Sequence, residues 1–226
     1  MTPPTDDQTD VSRLVLGIVG GTGDQGRGLA YRFALAGQRV VLGSRDADRA
    51  AKAAADLGLE HVTGTDNRRC AETADVVVVA VPWDGHEPLL RELAPALGDK
   101  IVVDCVNPLG FDRQGAFALV VPEGSAAQQA AALLPSSRVV GAFHHLSAVR
   151  LLDPAVTALD EHVLVLGDDR GATDLVERLV ARILGLRGIY AGRLRNAHQV
   201  EAMTANLIAI NRRYKVHAGL RVTDVP

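Results

Sequence analysis

The sequence predicts a doubly wound α/β protein: a mostly parallel Rossmann-type sheet followed by a smaller helical or mixed C-terminal domain. Three observations carry this. Four short runs, LVLGIV at 14–19, RVVL at 39–42, VVVVAV at 76–81 and IVVDCV at 101–106, are apolar on consecutive residues, as strands buried on both faces must be. Segments rich in Ala, Leu and Arg separate them, with helical periodicity and the length of crossover helices. A glycine-rich turn joins the first strand to the first helix.

Taken in order, the first strand ends in Gly20-Gly21 and leads to a helix over 25–36, which Gly37 closes. The strand at 39–42 is followed by helices over 46–57 and 66–73. Pro82 ends the strand at 76–81, a helix follows over 86–97, and Asn107-Pro108 ends the strand at 101–106. Later segments are less regular: helices over 124–134 and 172–186, strands at 137–143, 162–167 and 188–191. From 196 to 217, Val200, Met203, Leu207, Ile210 and Tyr214 recur at three- and four-residue steps, one face of a long helix. That stripe, with so short a second half, predicts a homodimer. The expected organisation is a disordered tail over 1–13, which is acidic and rich in Pro and Thr, a nucleotide-binding domain over 14–145 and a smaller domain over 146–226.

Composition narrows the function. The 226 residues are 47% hydrophobic with a formal net charge of −3, so the chain builds a real core and offers no global attraction to nucleic acid. No apolar run approaches the roughly 18 residues of a membrane span. Two cysteines make no disulfide framework, which points to a reducing cytoplasm. Cys105, at a strand end, reads as a small hydrophobe, and Cys70 lacks the neighbours of a reactive thiol. The charge is uneven, however: Arg187, Arg193, Arg195, Arg212, Arg213, Lys215 and Arg221 stand against Glu201 and Asp224, a local net of +5 that leaves −8 on the rest. A basic tail on an acidic body suggests a local anion site.

The sharpest local signal is Gly20-Gly21-Thr22-Gly23-Asp24-Gln25-Gly26. Gly21, Gly23 and Gly26 fit G-x-G-x-x-G, which serves a tight turn, close approach of a pyrophosphate and close packing of helix on strand. Small residues Gly28, Ala30 and Ala34 should let that helix lie close to the sheet. After the second strand, where an NAD site places a carboxylate for the ribose hydroxyls, the chain reads Gly43-Ser44-Arg45, with Arg49 four residues on. A hydroxyl and two guanidiniums suit a 2′-phosphate through charge-assisted hydrogen bonds. NADP(H) is therefore the predicted cofactor.

The segments GIVGGTGDQGRGLAYRFALAGQRVVLGSRD, VVVVAVPWDGH, IVVDCVNPLG, VVGAFHHLSA, LVLGDD and YAGRLRNAHQVE together resemble the F420-dependent NADP reductases. The resemblance runs from about residue 14 to the C-terminus. It implies direct, reversible hydride transfer between C4 of the nicotinamide and C5 of the deazaflavin coenzyme F420. It further implies that Thr22, Gly23, Asp24 and Gln25 line the pyrophosphate loop and that Ser44, Arg45 and Arg49 hold the 2′-phosphate. Trp83 would border the nucleotide, and the stretch from His144 to Ala148 would lie near both rings. Such a transfer asks little of side chains beyond holding two rings in contact, and His144 and His145 are candidates only for relaying the proton the reaction consumes. F420 has an anionic tail, for which Arg195, Arg212, Arg213 and Lys215 are the candidate counter-surface. Neither histidine has a cluster of metal ligands around it, so no metal is expected. Two other readings stay open at this stage: an NADP-dependent imine or carbonyl reductase related to the pyrroline-carboxylate reductases, and a non-catalytic protein that senses NADP(H).

Overall fold

The computed structural model describes residues 9–225. In chain order the elements are β1 (Val15–Val19), α1 (Asp24–Leu35), β2 (Arg39–Ser44), α2 (Ala47–Asp56), β3 (Val62–Asp66), α3 (Asn67–Thr73), β4 (Val76–Val79), α4 (His86–Leu97) and β5 (Ile101–Asp104). They continue with β6 (Leu109–Asp112), β7 (Gly115–Ala118), α5 (Ala126–Leu133), β8 (Arg138–Gly141), α6 (Ala148–Leu152), β9 (Glu161–Gly167), α7 (Arg170–Val180), β10 (Leu186–Gly192) and α8 (Ala197–Tyr214).

One eight-stranded sheet in the order β10-β9-β8-β5-β4-β1-β2-β3 forms the body, and β6 and β7 make a separate hairpin. The order reverses beside β1, which pairs in parallel with β2 on one side and β4 on the other, Gly17 lying between Val41 and Val77. The consecutive valines have a simple cause. Val76 and Val78 point to the face covered by Leu29 and Phe33 of α1. Val77 and Val79 point to the opposite face, under Leu90 and Leu93 of α4. Each side chain so buried contributes about 1.5–3 kcal/mol, so an alternating polar strand could not occupy this position.

The sheet is mostly parallel, as expected, β8 and β9 being its antiparallel pair. Several other expectations require correction. The edge strand β3, VTGTD, has only Val62 buried and so lacks the apolar run of its neighbours. The β6–β7 hairpin and the five-residue α6 were not foreseen either. Asp112 closes that hairpin, its Oδ1 accepting from the Gln114 and Gly115 N–H groups at 2.7 and 3.1 Å. α7 ends at Val180 rather than near 186, because Gly185, with φ +83°, turns the chain into β10. Gly28 meets α6 and not the sheet: a Cβ there would lie 2.6 Å from Leu151 Cβ. Ile210 and Tyr214 of the expected α8 stripe are exposed, and Ala197, Val200, Glu201 and Leu207 form its buried face.

Of the expected N-terminal tail, residues 1–8 lie outside the described residues. Val11–Arg13 form a 3-10 turn capped by Asp10 and held by the Gln38 amide, which donates to Val11 O at 3.0 Å.

Candidate functional site

The glycine loop crosses the carboxyl end of β1 at the point where the strand order reverses, the usual place for a ligand in an open α/β sheet. Gly21 N–H donates to Gly43 O at 2.9 Å, which ties the loop to the end of β2. A Cβ on Gly26 would sit 2.5 Å from Gly21 Cα, whereas one on Gly23 would meet nothing within 4 Å. Gly26 thus lets the start of α1 close onto the turn, and Gly23 leaves open space above it. Gly23 is also the N-cap of α1 and brings no side-chain cap, so the first-turn amides face the cleft with the positive end of the helix dipole behind them.

Two cavities meet over this loop. One, of about 610 Å³, is lined by Thr22, Ser44, Arg45, Arg49 and Asn67. The other, of about 470 Å³, is lined by Asp24, Gln25, Trp83, Asn107, His144 and Ala148, with His145 beside them. Both share Gly23, Ala80, Val81 and Pro82. The arrangement is one cleft with a cationic end, a helix N-terminus at its middle and a largely uncharged far end.

Each wall has a local cause. Asp46 caps α2 through its carboxylate, which accepts from the Asp48 and Arg49 N–H groups. That places Arg45 and Arg49 at the cavity rim with both side chains exposed. At the other end Phe143, with φ +66°, turns the chain sharply after β8. Its ring packs edge-on against Phe33 at 6.0 Å, and its carbonyl accepts from Gln25 Nε2 at 3.2 Å. This turn presents His144 and His145 to the cavity, 3% and 4% exposed. Among the described residues no ring nitrogen of either has a hydrogen-bond partner, and neither has Asn107 Oδ1. Asn107 Nδ2 donates to His144 O at 2.8 Å, which fixes the amide orientation. Burial pushes both histidines down to about 4, so at neutral pH neither stores a proton.

The structure brings Thr22, Gly23, Asp24, Gln25, Gly26, Ser44, Arg45, Arg49, Trp83, His144, His145 and Ala148 around this one cleft, whereas Gly21 is buried in the same loop and lines neither cavity. It does not gather the four basic residues. Arg195 lies in the 3-10 turn before α8, while Arg212, Arg213 and Lys215 lie at the far end, about 27 Å away for an 18-residue helix. None of the four lines either cavity, although Asn211 and Ala218, which flank the latter three in the chain, line the 470 Å³ one.

Sequence reasoning missed several contributors. Asn67 Oδ1 accepts from Gly20 N–H at 3.0 Å and steadies the glycine loop from α3. Thr204, Leu207, Ile208 and Asn211 give α8 a cavity face, a stripe of mixed polarity that an apolar-periodicity search passes over. Behind Trp83 lies a buried network of His86, Asp104, Gln129 and Glu201. Burial pushes Glu201 up to about 7, although its carboxylate accepts from the Ala126 and Ala127 N–H groups at 2.9 and 3.1 Å. Both cysteines are free and buried, and burial raises each thiol, Cys70 to about 12. Among the described residues no group of His, Cys, Asp or Glu could hold a metal ion.

The fold and cleft define a doubly wound dinucleotide-binding oxidoreductase. Residues 15–108 match the family model of NADP oxidoreductase, coenzyme F420-dependent. The chain is 38% identical to the F420-dependent NADP reductase of Methanothermobacter thermautotrophicus over 94% of its own length and 96% of the relative's. It is 37% identical to that of Methanothermobacter marburgensis, covering 94% and 100% of the two chains. A solved chain from Arthrobacter sp. FB24, provisionally assigned as an F420-dependent NADP reductase, superposes with a TM-score of 0.81 at 24% identity, over 93% of this chain and 99% of that one. The protein belongs to the F420-dependent NADP reductase family.

Proposed function

We propose that the protein transfers hydride reversibly between NADP(H) and coenzyme F420, with both held in the single cleft over β1 and β4. The observation that carries this is the junction of the two cavities at the open face of Gly23, flanked by uncapped helix amides at the centre and by Arg45 and Arg49 at one end. In this reading Ser44, Arg45 and Arg49 hold the 2′-phosphate, and Thr22, Gly23, Asp24 and Gln25 follow the pyrophosphate. Trp83, His144 and Ala148 border the nicotinamide, with the deazaflavin against it in the same cavity. The unpartnered ring nitrogens and Asn107 Oδ1 support the placement of hydrogen-bonding heterocycles there.

When bound, the two coenzymes supply the hydride donor and acceptor themselves. The protein's part is to orient the rings at roughly 3–3.5 Å and to exclude water. His144 and His145, neutral above about pH 4, can pass a proton by tautomer exchange but cannot act as a charged acid, so the proton consumed in reducing F420 comes from solvent. The tail of F420 leaves the cavity by Asn211 toward Arg212, Arg213 and Lys215; KM for F420 then rises with ionic strength. Residues 146–226 supply the α8 wall and, through exposed Ile210 and Tyr214, the contact of a homodimer, which sedimentation would show at twice 23.9 kDa. Free buried thiols support a reducing, cytoplasmic setting, and no helix among the described residues is long and apolar enough to cross a membrane.

The test is anaerobic mixing of purified protein with NADPH and oxidised F420. The deazaflavin's visible absorbance should fall in proportion to NADPH, and deuterium at nicotinamide C4 should arrive at deazaflavin C5. An unchanged absorbance refutes the reading.

A further inference from the structure

His86 opens α4 with its side chain fully buried, and both ring nitrogens are engaged. Nε2 lies 2.6 Å from Asp104 Oδ2 and Nδ1 lies 2.9 Å from Gln129 Oε1. The Gln129 amide nitrogen donates to Glu123 Oε2 at 3.3 Å, so its oxygen faces His86 and Nδ1 must be a donor. A carboxylate accepts from the other nitrogen. Both nitrogens thus face acceptors, the arrangement that favours an imidazolium paired with Asp104. The indole of Trp83 stacks on this ring, centroids 5.4 Å apart and 29° between planes, the geometry of a cation held against an aromatic face. The second oxygen of Asp104 accepts from Val106 N–H at 2.9 Å. Val106 and Asn107 line the 470 Å³ cavity, as Trp83 does.

We infer that the buried His86–Asp104 pair is the positioning element of this cleft, setting Trp83 and the loop at 105–107 as two fixed walls against which the nicotinamide and deazaflavin are held. Neither side chain lines the cavity. The pair ties the start of α4, the end of β5 and, through Gln129, helix α5 into one unit, and Glu201 joins α8 to the same helix. A buried ion pair is a poor choice for stability alone, because well-packed apolar residues often serve as well or better. Here it sits where two loops must hold one spacing, and effective transfer tolerates little displacement of the reacting rings. The inference rests on the coenzyme placement proposed above.

Trp83 is the only tryptophan in the chain, so intrinsic emission reports this contact alone. The experiment compares the full-length protein with His86→Gln and Asp104→Asn in three measurements: Trp83 emission against pH, emission during NADP+ titration, and single-turnover reduction of F420 by NADPH. The groups facing His86 are Asp104 from β5, Gln129 from α5 with Glu123 of the preceding turn behind it, and Glu201 from α8. Burial disfavours its charge, but Asp104, Gln129 and Glu201 together hold its pKa above the usual histidine range. Wild-type emission is therefore quenched by the stacked imidazolium to a higher pH than an ordinary histidine would allow, and recovers as the ring deprotonates. In Asp104→Asn the recovery moves to lower pH, and in His86→Gln the titration disappears. The rate of transfer falls about 10- to 100-fold in both, while the NADP+ dissociation constant, set mainly at the loop and the cationic end, moves far less.

Should either variant fail to fold, Gln129→Leu and Gln129→Glu replace it. The first slows transfer and raises emission, and the second, which restores an acceptor to Nδ1, reverses both in part. A variant with a lowered melting temperature but unchanged transfer rate and emission titration overturns the inference, since the pair would then only stabilise the fold. Wild-type protein that binds NADP+ but reduces no F420 refutes the proposed reaction instead, and the emission titrations still decide the placement of Trp83.

Discussion

Replacing Arg45 by Glu should reverse the nucleotide preference. Arg45 is the first residue beyond β2 and lines the 610 Å³ cavity together with Ser44 and Arg49. A charge-assisted hydrogen bond is worth about 1.5–3 kcal/mol, and because Arg45 is exposed the low end applies. The new carboxylate adds repulsion of about 1 kcal/mol against each phosphate charge near 4 Å in water. A total of about 2.5 kcal/mol is roughly 60-fold in affinity for NADPH. NADH lacks the 2′-phosphate, and a carboxylate can accept from its ribose hydroxyls, so its binding should hold or improve. The assay is steady-state F420 reduction with each nucleotide at low and at 0.5 M-scale salt (about 3–10 Å of screening length). The KM ratio should shift by tens of fold at low salt and by less at high salt. An unmoved ratio would mean that Arg45 is only a solvated residue before α2.

Gly23→Ala should fold normally, since its methyl meets no protein atom, yet raise KM for NADPH about tenfold by displacing one charged contact. Gly26→Ala, clashing with Gly21 backbone at 2.5 Å, should cost about 1–3 kcal/mol of stability as well, visible as a lower melting temperature. Arg32→Leu should be worse: Arg32 donates to the carbonyls of Arg150, Leu151, Asp153 and Val156, and their loss should cost on the order of 3–5 kcal/mol and, through α6, loosen the cavity at Ala148. Thermal unfolding with and without NADP+ measures both. His144 and His145 titrate near 4 when folded and near 6.5 when unfolded, so the unfolded chain takes up protons first as pH falls. Their contribution is therefore complete above pH 6.5 and is lost progressively toward pH 4, by up to about 3 kcal/mol each. His145→Asn should flatten that acid limb in melting curves recorded from pH 7 to 4.

Much of the half of the cleft beside β2 could be read directly. The valine runs demanded burial on both faces, Gly26 closes onto Gly21 while Gly23 faces open space, and Ser44-Arg45 stands at the end of β2. These features are local, each fixed by a few adjacent residues and the backbone geometry they permit. The other half was harder because its walls come from far apart in the chain. Thr204 and Asn107 both bond to His144 O, over sequence separations that no periodicity records. Trp83 pointed to the cavity, but nothing in VPWDGH showed that its histidine would be buried against Asp104. Gly28 showed the same limit: a small residue announces a close neighbour without saying that the neighbour is Leu151 of α6.

By itself, the sequence determined the doubly wound architecture, the glycine turn that opens α1 and the Ser44-Arg45 pair at the end of β2, because hydrophobic periodicity and turn chemistry act over a few residues. Tertiary structure alone decided that the two cavities join at Gly23, that both histidines are buried and uncharged, that Arg195 stands apart from Arg212, Arg213 and Lys215, and that an ion pair lies behind Trp83. These depend on which distant segments share a wall. Burial and proximity, which set charge state and spacing, belong to the folded chain and not to any stretch of it.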